Sequence, residues 1–143
     1  MTVILPAYDQ IPNVGLYLEQ VTKFLNEYLE PMGCTPITGS MISNYVKKGL
    51  VKNPVKKQYD REHIAVLLTI AVIKTVLSLE EVQQLLDAHK ELPPEQAYAD
   101  FCRTFPAAMS AVFARPAGEL MEDTVTAVAH KLYLEKRFRE AAV

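Results

Sequence analysis

Hydrophobic residues recur at helical spacing along most of the chain. The first such stretch begins after Pro12-Asn13 and ends at Pro31, and its apolar positions follow the three- and four-residue steps of one helix face. A shorter helical stretch runs from Thr38, a residue type that favours the N-cap, to Gly49, which favours a helix end. The pattern therefore predicts a long helix, a loop and a short helix at the start of the chain.

The helical pattern is interrupted between residues 50 and 59. β-Branched residues flank Asn53-Pro54, a dipeptide that favours a turn. This segment therefore predicts two short extended arms joined by a turn, that is, a small two-stranded wing.

Two further helices are predicted directly after the wing. Asp60 is a suitable N-cap for a third helix that runs to about Leu77, and because this stretch is apolar on nearly all sides we expect it at the centre of the core. Ser78-Leu79-Glu80-Glu81 has the spacing of a capping box, so a fourth helix is predicted from there to about Lys90.

Prolines separate the remaining helical stretches. Pro93-Pro94 precede a fifth helix that is expected to end near Pro106, and a short helical piece is expected over 107–114. A final long helix follows Pro116. With 143 residues, half of them hydrophobic, and only five glycines, the chain is predicted to be mainly α, with about six helices around one core.

Signals for secretion, membrane insertion and metal binding are missing from the sequence. The N-terminal segment has no basic region followed by a long apolar run, and the longest uncharged apolar run, 64–73, is shorter than the roughly 20 residues of a membrane span. Cys34 and Cys102 lie far apart without further ligands at metal spacing. We expect a cytoplasmic protein that binds no membrane, no metal and no cofactor.

The sequence also contains no catalytic constellation. His63, His89 and His130 lie in different predicted helices, and there is no glycine-rich phosphate loop, nucleophile elbow or dinucleotide fingerprint. The carboxylates of Glu80-Glu81 are explained by helix capping. We therefore expect that the protein is not an enzyme.

Basic residues are concentrated around the predicted wing, although the whole chain carries a net charge of −2. Between Lys47 and Arg61 the chain has six basic side chains and one acidic side chain. Lysines on a projecting wing, here Lys52, Lys56 and Lys57, would reach DNA phosphates and make affinity depend on salt. The alternative is that the lysine run is only a solvated surface.

The short helix before the wing is predicted to have an exposed polar face. This face carries Ser40, Ser43, Asn44 and Lys47. Such a helix fits the major groove, where Asn pairs with adenine and Lys with guanine or phosphate. The combination of a polar short helix, a basic wing and a capped helix behind them indicates DNA recognition.

A known family shares this arrangement of motifs. The run Ser43-Asn44-Tyr45-Val46-Lys47-Lys48-Gly49-Leu50-Val51, followed by Tyr59 and by Leu77-Ser78-Leu79-Glu80-Glu81-Val82, resembles the winged helix-turn-helix domain of the MerR regulators. The resemblance covers about residues 38–86. It implies DNA-backbone contacts for Tyr45 and Lys47, and it places Lys57 where the family usually has arginine. The whole chain is also similar to a family of unknown function in Firmicutes, the YkrK-like proteins.

We therefore predict a single domain, 1–143, with a MerR-like winged helix-turn-helix portion, 13–92, and a C-terminal helical extension, 93–143. The predicted function is a transcriptional regulator that binds double-stranded DNA, with a homodimer formed through the C-terminal helices. The predicted DNA-contacting residues are Ser40, Ser43, Asn44, Tyr45, Lys47, Lys48, Lys52, Lys56 and Lys57.

Two alternatives remain open at this point. The first is a protein-interaction module on the same scaffold without DNA binding, with an apolar groove among the C-terminal helices. The groove would be lined by Phe101, Phe105, Met109 and Phe113, which are otherwise ordinary core residues. The second is a small-molecule sensor joined to the DNA-binding part, although no polar cluster identifies a ligand.

Overall fold

Helices account for most of the chain in the computed structural model, which describes residues 3–141. A short 3₁₀ turn at Tyr8–Gln10 precedes the α-helices. The α-helices of this described part are α1 (Leu18–Leu29), α2 (Gly39–Lys47), α3 (Arg61–Ile73), α4 (Leu79–Ala88), α5 (Pro94–Phe113) and α6 (Leu120–Ala141). The mainly α prediction with about six helices is therefore confirmed.

The helix α3 is buried on nearly all sides, as its uniformly apolar sequence predicted. Its buried residues are His63, Ile64, Ala65, Leu67, Leu68, Ile70, Ala71 and Val72. Both α1 and α5 pack against α3, and α1 also packs against α2. Since each fully buried Leu or Ile side chain contributes roughly 1.5–3 kcal/mol, α3 is the element that holds α1 and α5 in place.

The predicted helix starts of α2, α3 and α4 are confirmed by their capping hydrogen bonds. The side chains of Thr38 and Asp60 each accept a hydrogen bond from a backbone N–H of the first turn, at 3.2 and 3.1 Å. In the capping box of α4, the Glu81 N–H donates to the Ser78 hydroxyl (3.2 Å), and the Ser78 N–H donates to the Glu81 carboxylate (2.9 Å). These side chains satisfy backbone donors that have no partner within the helix.

Three of the predicted helix boundaries were wrong. The third helix ends at Ile73 and not near Leu77, and residues 74–76 form turns. The first helix begins at Leu18, because the chain before it is extended and Leu16 exchanges backbone hydrogen bonds of 2.9 and 2.7 Å with Tyr59. The predicted break at Pro106 is absent, and α5 continues through this proline to Phe113. A proline removes one N–H donor and crowds the carbonyl four residues before it, yet the residues on either side of Pro106 keep the helical conformation.

The predicted two-stranded wing is not present, because residues 3–141 contain no β-strand. Val55 and Gln58 form a single bridge that closes a two-residue turn. In a hairpin, the next hydrogen-bonded pair would be Asn53 and Asp60. Here Asn53 and Asp60 contact the ring of His63 and not each other. The ring Nδ1 accepts the Asp60 N–H (2.9 Å), and the ring Nε2 lies 3.2 Å from the Asn53 carbonyl oxygen. The start of α3 therefore ends the ladder after one pair.

The last helix, α6, packs weakly against the rest of the molecule. It has no buried residue. Two hydrogen bonds fix its C-terminal half, one from Lys131 Nζ to the Val76 carbonyl (2.8 Å) and one from Gln84 Nε2 to the Phe138 carbonyl (3.1 Å). None of the helices between residues 3 and 141 is both long and apolar enough to cross a membrane.

Candidate nucleic-acid interface

The outer face of α2 is polar and exposed. Ile42 and Tyr45 face the core, whereas the other side carries exposed side chains. The exposed residues at and after this face are Ser40, Ser43, Asn44, Lys47 and Lys48. Gly49, with a φ of 80°, ends the helix, and the Leu50 N–H donates to the Tyr45 carbonyl (2.9 Å). The helix is therefore short and anchored at both ends, with its polar face outward.

Tyr45 differs from the other predicted DNA-contacting residues because its side chain lies in the core. It is only 3% exposed, and the Lys74 ammonium lies 5.9 Å from the centre of its ring. A buried ring cannot reach a DNA strand unless the helix moves. We therefore leave Tyr45 out of the candidate interface and assign it to packing.

The segment 55–58, which we call the basic turn, presents Lys56 and Lys57 to solvent. The Val55 N–H donates to the Gln58 carbonyl (3.1 Å), and the Gln58 N–H donates to the Val55 carbonyl (2.9 Å). Lys56 and Lys57 have φ values of 51° and 64°. Turns with positive φ at both central residues strongly favour Asn-Gly. Two lysines in this conformation cost on the order of 1 kcal/mol each.

Lys52 is already paired with carboxylates. Its ammonium lies 3.0 Å from Glu62 and 3.5 Å from Asp60. The hydrogen bond to Glu62 is the main reason that the pKa of Lys52 is raised. A DNA phosphate would have to compete with both carboxylates for this ammonium, so Lys52 is less available to an anion than its place in the sequence predicted.

Arg61 is directed toward the N-terminal segment. Its Nε donates to the Ile11 carbonyl (2.8 Å) and its Nη2 to the Asp9 carbonyl (3.2 Å). Its guanidinium also lies 5.6 Å from the centre of the Tyr8 ring. One of the six basic side chains between Lys47 and Arg61 therefore makes its contacts within the fold. The lysines of that stretch without a carboxylate within 4.0 Å in the described residues are Lys47, Lys48, Lys56 and Lys57.

Lys23, which was not among the residues predicted from the sequence, lies on the same surface. Lys23 on α1 and Lys57 of the basic turn line one cleft, together with Gly39, the first residue of α2. Tyr17, at the start of α1, accepts a hydrogen bond from Gln58 Nε2 through its hydroxyl (3.1 Å). No motif in the sequence marked Lys23. Its closeness to the basic turn depends on how α1 packs.

The apolar groove of the protein-interaction alternative is not formed as expected. Phe101 and Phe105 stack with ring centres 5.5 Å apart and pack against the core. Met109 is half-buried, whereas Phe113 is 54% exposed. The four side chains therefore do not share one open surface.

A different apolar surface is exposed on α6. Met121, Val125, Val128 and Leu132 are between 52% and 69% exposed. Their spacing of four, three and four residues is that of a coiled-coil seam. We call this surface the α6 seam, and no other part of residues 3–141 covers it.

The buried polar groups of the fold have structural partners. The Tyr98 hydroxyl donates to the Pro6 carbonyl (2.7 Å), and burial raises the pKa of this hydroxyl. Burial also raises the pKa of the Cys102 thiol, which lies 3.8 Å from the same carbonyl. In the part of the chain that the structure describes, no three His, Cys, Asp or Glu side chains come together as metal ligands would.

Comparisons with known proteins identify one family. Residues 6–101 match the family model of DUF1836, a domain of unknown function. No curated protein and no solved structure matched the chain. The matched residues include α1 to α4 and the beginning of α5, so the candidate interface lies within the family domain and the α6 seam lies outside it.

Proposed function

Since this chain belongs to the DUF1836 family, a domain of unknown function, we propose a function from its own surface: binding of double-stranded DNA as a transcriptional regulator. The two helices α1 and α2, joined by residues 30–38, supply the binding unit. The polar face of α2 enters the major groove, where Asn44 pairs with adenine and Lys47 with guanine or a phosphate. This proposal needs no wing.

The basic turn is the observation that carries the proposal. It holds two exposed lysines in a left-handed conformation that Asn-Gly would adopt with less strain. Strained backbone of this kind is concentrated at functional sites. The conformational cost of the two lysines is explained if both ammonium groups contact phosphates beside the major groove. Each neutralised phosphate releases a counterion, which favours binding.

We further propose that the regulator is a homodimer that pairs through the α6 seam. The N-terminal half of α6 and the residue before it carry acidic side chains, Glu119, Glu122 and Asp123. The C-terminal half is mainly basic, with Lys131, Lys136, Arg137 and Arg139 outnumbering its carboxylates. An antiparallel pair of α6 helices would therefore place opposite charges beside each other and cover the exposed apolar residues. A dimer places two α2 helices on half-sites roughly 34 Å apart.

To test DNA binding, Lys56 and Lys57 of the basic turn are replaced by Asn and Gly, the residues that this turn conformation favours. We expect Lys56→Asn with Lys57→Gly to raise the free energy of unfolding by roughly 1 kcal/mol. The same double variant should bind a random duplex about tenfold more weakly at low salt, with a salt slope smaller by roughly two. Fluorescence anisotropy over a salt series measures the affinity, and urea unfolding measures the stability.

The matched control removes two positive charges elsewhere, by Lys90→Gln with Arg103→Gln. Both residues are exposed and lie outside α1, α2 and the basic turn. This control should bind DNA like the native chain apart from a small nonspecific loss. An unchanged salt slope in the Lys56→Asn, Lys57→Gly variant would contradict phosphate contacts by the turn, and a native chain that binds no duplex at low salt would contradict DNA binding altogether.

The exposed α6 seam also favours a second candidate function, a protein-interaction module without DNA binding. In that case the seam would bind a different protein through a helix with matching apolar residues. The two candidates differ in a simple observation: the native chain either binds a duplex with a salt-dependent affinity or it does not.

A further inference from the structure

A cleft lies between α1, α2 and the basic turn. Its volume is about 590 Å³, and its lining includes Tyr17, Leu18, Lys23, Gly39 and Lys57. Because Gly39 is the first residue of α2 and Lys57 is in the basic turn, the cleft connects the two surfaces to which we assign DNA contacts.

The cleft combines an apolar floor with ammonium groups from two separate elements. Leu18 and the ring of Tyr17 supply carbon surface. Lys23 and Lys57 supply positive charge, and neither has a carboxylate within 4.0 Å among residues 3–141. Gly39 allows α2 to begin close to Leu18, since a Cβ at this position would come within 3.2 Å of Leu18 Cδ2.

We propose that this cleft binds one sugar–phosphate segment of the DNA strand that borders the major groove occupied by α2. The inference rests on the proposed DNA binding and adds a site to it. Lys23 and Lys57 contact phosphates, and the carbon surface of Leu18 and Tyr17 packs against a deoxyribose. Contacts of this kind position a protein on the duplex without reading its sequence.

Glu19 allows a second test, because removing its charge should have the opposite effect to removing the charge of Lys23. It lies in the lining of the same cleft, four residues before Lys23 on α1. Its carboxylate repels a phosphate bound there. Removing the charge of Lys23 should therefore weaken DNA binding, and removing the charge of Glu19 should strengthen it.

The experiment compares Lys23→Gln and Glu19→Gln with the native full-length chain and with Lys90→Gln. All three side chains are exposed, and circular dichroism and urea unfolding establish that each variant folds. On a random DNA duplex, Lys23→Gln should lower the affinity severalfold, equally for different sequences, and reduce the salt slope by about one. Glu19→Gln should raise the affinity about twofold or more at low salt, and Lys90→Gln should change neither quantity.

Failure of this inference is distinguishable from failure of the proposed function. If the Lys56→Asn, Lys57→Gly variant loses DNA affinity while Lys23→Gln keeps the native affinity and salt slope, the cleft site is overturned and DNA binding stands. If the native chain binds no duplex, both are overturned. Equal affinity for double-stranded RNA of the same length would overturn the assignment of the cleft to a DNA strand, because an RNA helix has a different groove geometry.

Discussion

At the scale of single residues, Asp60 is both the N-cap of α3 and a close neighbour of the basic turn. Asp60 caps the helix, its carboxylate Oδ1 lies 2.8 Å from His63 Nδ1, and Lys52 lies 3.5 Å from its other oxygen. Partial burial raises the pKa of Asp60, but the hydrogen bond from the His63 backbone N–H and the nearby Lys52 ammonium outweigh it, so the pKa is lowered. The carboxylate therefore stabilises the fold most strongly when it is ionised.

This lowered pKa predicts a pH-dependent loss on Asp60→Asn. Asn still caps a helix, so the variant loses mainly the charge. A carboxyl group whose pKa is lower in the folded than in the unfolded state stabilises above the unfolded value, and this contribution disappears as the pH falls through the folded value. Because the side chain is 45% exposed, we expect a loss of only about 0.5–1 kcal/mol at pH 7.

Urea unfolding between pH 7 and pH 3 measures this difference. The native chain and the variant should converge as the pH falls below the ordinary value of 3.8. Asp60→Ser, which also caps well, is the matched control and should behave like Asp60→Asn. A loss that is the same at pH 3 and pH 7 would assign the effect to the cap and contradict the role of the charge.

At the scale of elements, the length of α2 depends on how its C-terminal end is formed. Gly49 adopts a φ of 80°, and the Gly49 and Leu50 N–H groups donate to the Val46 and Tyr45 carbonyls at 3.0 and 2.9 Å. This is a Schellman motif. It satisfies carbonyls of the last turn and directs Leu50 into the core, where it is buried.

Gly49→Ala should lower the free energy of unfolding by about 1 kcal/mol. The loss is a backbone effect alone, because a Cβ at this position meets no atom within 4 Å. Gly49→Asn should lose less, since Asn tolerates this conformation. Gly118→Ala is the control, because Gly118 does not have a positive φ and a Cβ there would make only ordinary contacts, the nearest with Asp123 Oδ1 at 3.8 Å. Urea unfolding measures all three, and a neutral Gly49→Ala would contradict the helix end described here.

At the scale of the whole molecule, an ordered core coexists with an uncovered apolar helix face. The core is built around α3, whereas α6 has no buried residue. Exposed apolar seams of this length are unusual in monomeric proteins and indicate an interaction surface. Pairing of two α6 helices would bury the seam and place two copies of the proposed DNA-binding surface in one particle.

The proposed dimer can be tested with the double substitution Val125→Glu, Val128→Glu. Both residues are 52% exposed in the single chain, so the substitutions should leave its helix content nearly unchanged. They should shift the sedimentation coefficient from dimer to monomer and weaken binding to a duplex with two half-sites. Ala127→Glu, on the same helix outside the seam, is the control. A native chain that sediments as a monomer at micromolar concentration would contradict the dimer.

The sequence by itself determined the features that depend on local spacing. The caps at Thr38, Asp60 and Ser78 and the buried character of α3 were predicted because capping residues and apolar periodicity act within a few residues of the chain. The exposed polar face of α2 followed from the same periodicity. The function and the domain boundaries stay predictions, whereas membership of a family of unknown function is confirmed.

The tertiary structure alone decided which of these local features meet. The prediction of a wing was wrong because Asn53 and Asp60 contact the His63 ring and do not exchange hydrogen bonds with each other. Lys52 is paired with carboxylates, while Lys23 joins the basic turn across the cleft. These outcomes depend on contacts between elements, and charge or β-propensity counted along the chain contains no information about them. The packing of α1 and α3 therefore selects which lysines remain available to a phosphate.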